Sequence, residues 1–142
     1  MLNILIIYMI EYIIIIKEMN NLTNTKKDSG HTFRDYFKRA VNPMLVLKLL
    51  SEESMYVYQM IQELKKRGHS DYTSSFLYPV LYRLQKQGYV SEGEKIISED
   101  NRVRSYYKIT DGGLNHLNQL ISEYKEMLNS VDLILNYNKE DK

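Results

Sequence analysis

Ser74 to Val90 reads S-S-F-L-Y-P-V-L-Y-R-L-Q-K-Q-G-Y-V. Leu77, Val80, Leu81 and Leu84 recur at i, i+3, i+4 and i+7, the spacing that lays one apolar stripe along a helix. At about 100° per residue, Ser75, Tyr78, Tyr82 and Lys86 fall on or beside the opposite face. That outer face is aromatic, hydroxylic and basic, carries no acid, and is followed by Gly88 as a stop signal. A short amphipathic helix with such a surface has the shape and chemistry to lie in a DNA groove. Many small helices share the pattern, so the neighbouring elements decide between a groove reader and a solvated surface helix.

Upstream, Val57, Met60, Ile61 and Leu64 repeat the same spacing and predict a helix over Tyr56 to Arg67, stopped by Gly68. His31 to Ala40 reads as a short helix with Phe33 and Phe37 on one side. Asn42-Pro43 reads as the cap and first turn of a separate core helix, Met44 to Leu50. The last two helices are joined by the polar turn His69 to Thr73. This is helix-turn-helix order with the later helix as reader.

Behind the reader the period changes from helical to two. Tyr89 to Ser98 has strand character, Glu99-Asp100-Asn101 is a turn, and Arg102 to Thr110 alternates. Val103, Ser105, Tyr107 and Ile109 share one face; Arg102, Arg104, Tyr106 and Lys108 share the other. A hairpin with a basic face directly behind a reader helix is a wing, whose arginines can reach phosphates or a minor groove. Taken alone, the hairpin could equally be an ordinary half-exposed one with solvated cations.

Thr110-Asp111 caps a long final helix. Leu114, Leu117, Ile121, Tyr124, Leu128, Val131 and Leu135 follow 3-4-3-4-3-4 spacing, and Leu120, Met127 and Ile134 widen the seam. At 1.5 Å per residue the seam runs for roughly 30 Å, more than a small winged domain covers. Pairing with the same helix of a second chain is the expectation, since two-fold dimers are the commonest oligomers.

The chain has 142 residues, enough for one domain and an extra helix. The net charge of +1 says little, but its distribution is uneven. Lys65 to Lys86 holds five basic residues against one acid, whereas Asp111 to Lys142 holds six acids against three lysines, so one face is expected to meet a polyanion. The absence of cysteine excludes disulfides and thiolate chemistry and fits a reducing compartment.

Ile4 to Ile16 is apolar apart from Glu11, too short at 13 residues for the roughly 20 that span a bilayer. It also lacks the flanks of a secretory signal. Three readings stand: a segment upstream of a start at Met19, a membrane-touching helix, or a piece of core or dimer interface. The first is preferred, because the run has no polar face. Asn20 to Gly30 reads as a polar linker. The expected organisation is therefore an extension and linker over 1–30, a winged helix-turn-helix domain over 31–110, a dimerisation helix over 111–137 and a tail over 138–142. The fold class is mainly α with one small β-hairpin.

Three motifs in this order resemble the PadR-like winged-helix transcriptional regulators. Leu77-Tyr78-Pro79 with Leu81, Arg83-Leu84 and Gly88 is similar to that family's L-Y-P-x-L-x-R-L-x-x-x-G reader. Tyr56-Val57-Tyr58-Gln59-Met60-Ile61 is similar to its Y-G-Y-x-I helix, with Val57 where glycine is usual. Arg104-Ser105-Tyr106-Tyr107-Lys108-Ile109-Thr110 is similar to its R-x-Y-Y-x-I-T wing strand. Ser98 to Asn101 departs from the glycine and proline common at the wing tip. The resemblance implies a cytoplasmic homodimer on an inverted-repeat operator, usually a repressor released by a small molecule or another signal, without a cofactor. Some short relatives clamp flat aromatic drugs with a tryptophan; this chain has none. Tyr124 and Tyr137 remain as possible stacking rings, although Tyr124 lies in the seam and is equally a packing residue.

The candidate DNA-binding residues follow from these readings. Ser74 or Ser75 caps the reader and offers N–H groups to a phosphate. Tyr78 and Tyr82 are base-edge or phosphate contacts, with packing as the other reading of each. Lys65, Lys66 and Lys86 are phosphate contacts, and Arg83 on the flank is either a contact or the partner of an acid. Arg102, Arg104 and Tyr106 belong to the wing as DNA contacts, with Arg104 preferred over Arg102 because it falls on the motif of the family that the strand resembles. The dispersed histidines His31, His69 and His116 form no metal-spaced cluster, and no catalytic constellation is evident, so an enzyme is not expected. The rival class is a protein-interaction adaptor assembled through the final helix.

Overall fold

The computed structural model describes residue 6, residues 9–17 and residues 32–140. The chain divides into two units, Met1–Phe37 and Lys38–Lys142. The linker expected over 20–30 lies outside the described residues, as do most of residues 1–8.

In the first unit, residues 9–17 are helical, and Met9, Ile10, Tyr12, Ile13, Ile14, Ile15 and Ile16 are exposed. No helix among the described residues is long and apolar enough to cross a membrane. The unit ends in the opening turn of helix α1, Phe33–Glu52. There Thr32 and Asp35 form a reciprocal cap: the Asp35 carboxylate accepts from the Thr32 N–H at 3.0 Å, and the Thr32 hydroxyl accepts from the Asp35 N–H at 3.3 Å. Phe33 and Phe37 stack at 6.2 Å, as their spacing predicts.

α1 corrects the expectation of two helices broken at Asn42-Pro43. It runs through both residues without interruption. Asn42 is not a cap: it is buried, and its side-chain carbonyl accepts from the Tyr72 hydroxyl at 2.7 Å. Pro43 removes one internal bond, to the carbonyl of Arg39. Burial of Val46, Leu47, Leu49 and Leu50 on the following turns holds the helix against that loss.

Within the second unit, helix α2 spans Val57–Lys66 and helix α3 spans Ser74–Lys86. Gly68 and Gly88 follow them with φ of +94° and +79°, the left-handed region that terminates a helix at glycine. The stripes predicted from spacing are the buried ones. Val57, Met60 and Leu64 of α2 meet Leu77, Val80, Leu81 and Leu84 of α3 in one core with the end of α1. Tyr72, in the connector, joins that core and lies edge-on to Phe76 at 5.8 Å.

Strands β1, Val90–Ile97, and β2, Val103–Ile109, form an antiparallel hairpin with a register irregularity between Glu92 and Lys95. Its base is fixed at three points. Met55 exchanges two backbone hydrogen bonds with Tyr107, at 3.2 and 2.8 Å. The Thr110 N–H donates to the Tyr89 carbonyl at 3.0 Å. The Thr110 hydroxyl donates to the Gly88 carbonyl at 2.7 Å and accepts from the Gly113 N–H at 3.0 Å, so one side chain closes the hairpin and caps the last helix.

Helix α4 runs Asp111–Leu135. Its first turns belong to the domain: Leu117 is 4% exposed, and Leu120 and Ile121 pack against the core. Beyond Tyr124 the apolar residues emerge, with Leu128, Val131, Ile134 and Leu135 all exposed. The seam read as one dimerisation stripe is therefore divided. Leu117 is a core residue of its own chain rather than a dimer contact, because α4 leaves the domain surface only after about four turns.

Candidate nucleic-acid interface

α3 presents the chemistry its sequence promised. With its apolar stripe committed to the core, Ser74, Ser75, Tyr78, Tyr82, Arg83 and Lys86 are exposed. Tyr78 and Tyr82 are 51% and 60% exposed, which rules out core packing as their main role. The Lys86 ammonium lies over the Tyr82 ring at 5.3 Å, giving the C-terminal end of this face a joined cation and ring. No acid occurs anywhere in α3, and neither Arg83 nor Lys86 has an ion-pair partner among the described residues.

The start of α3 differs in detail from expectation. Thr73 occupies the cap position, and its hydroxyl bonds Ser75 Oγ at 3.0 Å rather than a helix N–H. Ser74 and Ser75 are the first two helical residues, not caps. Both residues are exposed at the positive end of the helix dipole. Pro79 lies just past the first turn and leaves the Ser75 carbonyl without its intrahelical donor.

The cations of α2 separate into free and engaged. Lys65 is exposed without an ion-pair partner among the described residues. Lys66 is held by Glu63 at 2.7 Å. Arg67, which the charge count included, is clamped by Glu52 with two hydrogen bonds at 3.1 and 2.6 Å. This pairing holds the Glu52 carboxyl down at about 2, the Arg67 hydrogen bonds being the main cause.

The wing corrects the picture of one open basic face. Arg102 projects into solvent, with Asp100 3.7 Å away. Arg104 does not. Its Nε donates to Ser98 Oγ at 2.9 Å, its Nη2 donates to Asp100 at 2.7 Å, and its guanidinium sits 5.4 and 5.5 Å from the Tyr56 and Tyr58 rings. Tyr106 is half-buried and meets Tyr56 edge-on at 5.6 Å. Of the side chains assigned to that face, Arg102 and Lys108 are open, whereas Arg104 and Tyr106 are turned onto α2. Asp100 is held below its ordinary value, chiefly by a short hydrogen bond from Ser98 and then by Arg104.

Sequence reasoning missed Tyr56, Tyr58 and Asp100 as partners of the wing. The spacing of β2 assigns faces but does not say that Arg104 and Tyr106 meet Tyr56 and Tyr58 at the start of α2. Among the described residues no group of histidine and acidic side chains is placed to hold a metal ion.

Comparisons with known proteins agree with this architecture. The sequence profile of the transcriptional regulator PadR-like family matches residues 46–119. The crystal structure of a PadR-like transcription factor from Bacteroides fragilis is 29% identical, with a TM-score of 0.59, over 71% of this chain and 96% of that one. A PadR-like transcriptional regulator from Bacillus cereus is 26% identical, with a TM-score of 0.61, over 72% of this chain and 99% of that one. An uncharacterized protein of Lysinibacillus sphaericus is 29% identical over 64% of this chain and 84% of its own length.

Proposed function

We propose, from the premise that this chain belongs to the PadR-like family of transcriptional regulators, that it binds double-stranded DNA sequence-specifically as a homodimer. The observation that carries this reading is the exposed, acid-free face of α3, with Tyr78, Tyr82 and Lys86 in line above a fully committed apolar stripe. α3 lies in the major groove, where the tyrosine hydroxyls meet base edges or phosphates. Ser74 and Ser75 bring the helix N-terminus to a phosphate, and Lys65, Arg83 and Lys86 neutralise the backbone. Arg102 serves the adjacent strand from the wing.

The apolar end of α4 supports the dimer. Leu128, Val131 and Leu135 continue the heptad spacing beyond the domain and are exposed. A two-fold pair of chains presents two α3 helices to one duplex. Repression by occupying promoter DNA, relieved by a small molecule or another signal, is the mode that the family resemblance implies for such a dimer.

Selection of bound duplexes from a random pool tests the reading directly. The expected product is an inverted repeat with half-sites roughly 10 bp apart, or a multiple of that, as required to place both readers on one side of the helix. Enrichment of no sequence, with weak binding that ignores base order, would instead favour an adaptor that docks other proteins.

A further inference from the structure

The wing hairpin is anchored at one end only by its backbone. Met55, Gly88 and Tyr89 fix the neighbourhood of Tyr107 and Thr110. The tip at Arg102 lies about 17 Å along the strand from Tyr107, at roughly 3.3 Å per residue. On that outer half, Ile97 and Val103 pair across the two strands and are exposed. A two-stranded ribbon held at its base and loose at its tip pivots unless something else holds it.

Arg104 supplies that hold. It bonds the tip through Ser98 and Asp100, while its guanidinium rests on Tyr56 and Tyr58 at the start of α2. Tyr56 is itself fixed, because its N–H donates to the Gln59 side chain at 3.1 Å and its ring meets Tyr106. Reaching a phosphate would require Arg104 to leave a carboxylate, a hydroxyl and two rings together, whereas Arg102 gives up only a long contact to Asp100 in solvent.

We propose that Arg104 is a positioning residue that fixes the wing's angle relative to α3, and that Arg102 is the arginine of the wing that meets DNA. The proposal rests on the duplex-binding reading and divides the labour within it. The charge of Arg104 is spent inside the protein, so its contribution to affinity is geometric and carries no counterion release.

The test uses the full chain in two assays. The first is affinity for the selected operator across a salt series. For Arg104→Gln combined with Asp100→Asn, which leaves the local net charge unchanged, affinity falls by about tenfold, the weight of one lost charged hydrogen bond, with an unaltered salt slope. Arg102→Ala flattens the slope by about 0.9. The second assay is amide hydrogen exchange without DNA. Arg104→Lys keeps the charge but loses the forked bond and the stacking, so exchange accelerates over residues 95–104 while the core helices stay protected.

A slope that falls by about 0.9 in the Arg104 and Asp100 double variant, or exchange in Arg104→Lys identical to wild type, overturns the proposal. Failure of the unmodified protein to bind any duplex overturns the duplex-binding reading instead. The exchange result then still decides whether Arg104 holds the wing.

Discussion

At the residue scale, two side chains show how a local signal and a packed structure divide the work. Lys86 lies one turn beyond Tyr82 on an exposed helix face and keeps its place for the reason its spacing gave. Replacing it with alanine should weaken binding to all duplexes alike and lower the salt slope by about 0.9, measurable by fluorescence anisotropy at several salt concentrations. Asn42 is the opposite case. Before a proline, asparagine has the sequence signature of a helix cap, yet here it accepts a hydrogen bond from Tyr72, 30 residues away. Burial pushes the Tyr72 hydroxyl above its ordinary value, the charge of Asp71 adds to this, and the phenol stays a donor. Tyr72→Phe leaves the Asn42 carbonyl buried without a partner and should cost about 1–3 kcal/mol in urea unfolding.

At the scale of elements, the joints are held by contacts that no single segment encodes. Gly113, in the first turn of α4, faces the backbone of Tyr89: a Cβ there would lie 2.1 Å from the Tyr89 carbonyl oxygen and 2.7 Å from Ile109 Cγ1. Gly113→Ala should therefore push α4 away from the hairpin base and destabilise the fold by about 1–3 kcal/mol or more, visible as a lower urea midpoint. The ends of α1 and α2 are joined by Glu52 and Arg67. Because the Glu52 value is depressed from 4.5 to about 2 in the folded protein, its stabilisation is present above pH 4.5 and is lost as pH falls toward 2. Glu52→Gln should thus be less stable than wild type at neutral pH, with the gap closing between pH 4.5 and 2 in urea unfolding followed by circular dichroism. A gap of constant size across that range would mean that the pairing does not contribute through its charge.

At the scale of the whole molecule, the domain ends where the heptad seam becomes exposed. Leu117 and Ile121 complete the chain's own core, and Leu128 to Leu135 extend past it with their apolar side chains in solvent. Under the proposed homodimer, Leu128→Glu with Val131→Glu places charges in a closed seam. Sedimentation should then report a monomer, and affinity for a two-half-site duplex should drop toward that for a single half-site, while the core of each chain keeps its stability. A dimer that survives both substitutions would place the contact elsewhere.

The linear order of residues settled a good deal. Period 3.6 followed by period 2 gave helices, hairpin and helix in their observed sequence, because burying one face of each element demands that repetition wherever the element sits. It gave the outward face of α3 as well, since fixing Leu77, Val80, Leu81 and Leu84 inside leaves Tyr78 and Tyr82 outside. Folding alone decided whether α1 breaks at Pro43, which part of α4 is core, and which wing arginine is exposed. Each of those depends on what lies opposite in space: Tyr72 across from Asn42, the buried core that Leu117 joins, and Tyr56 and Tyr58 under Arg104. Periodicity states which way a side chain points, and only the assembled structure states what it meets there.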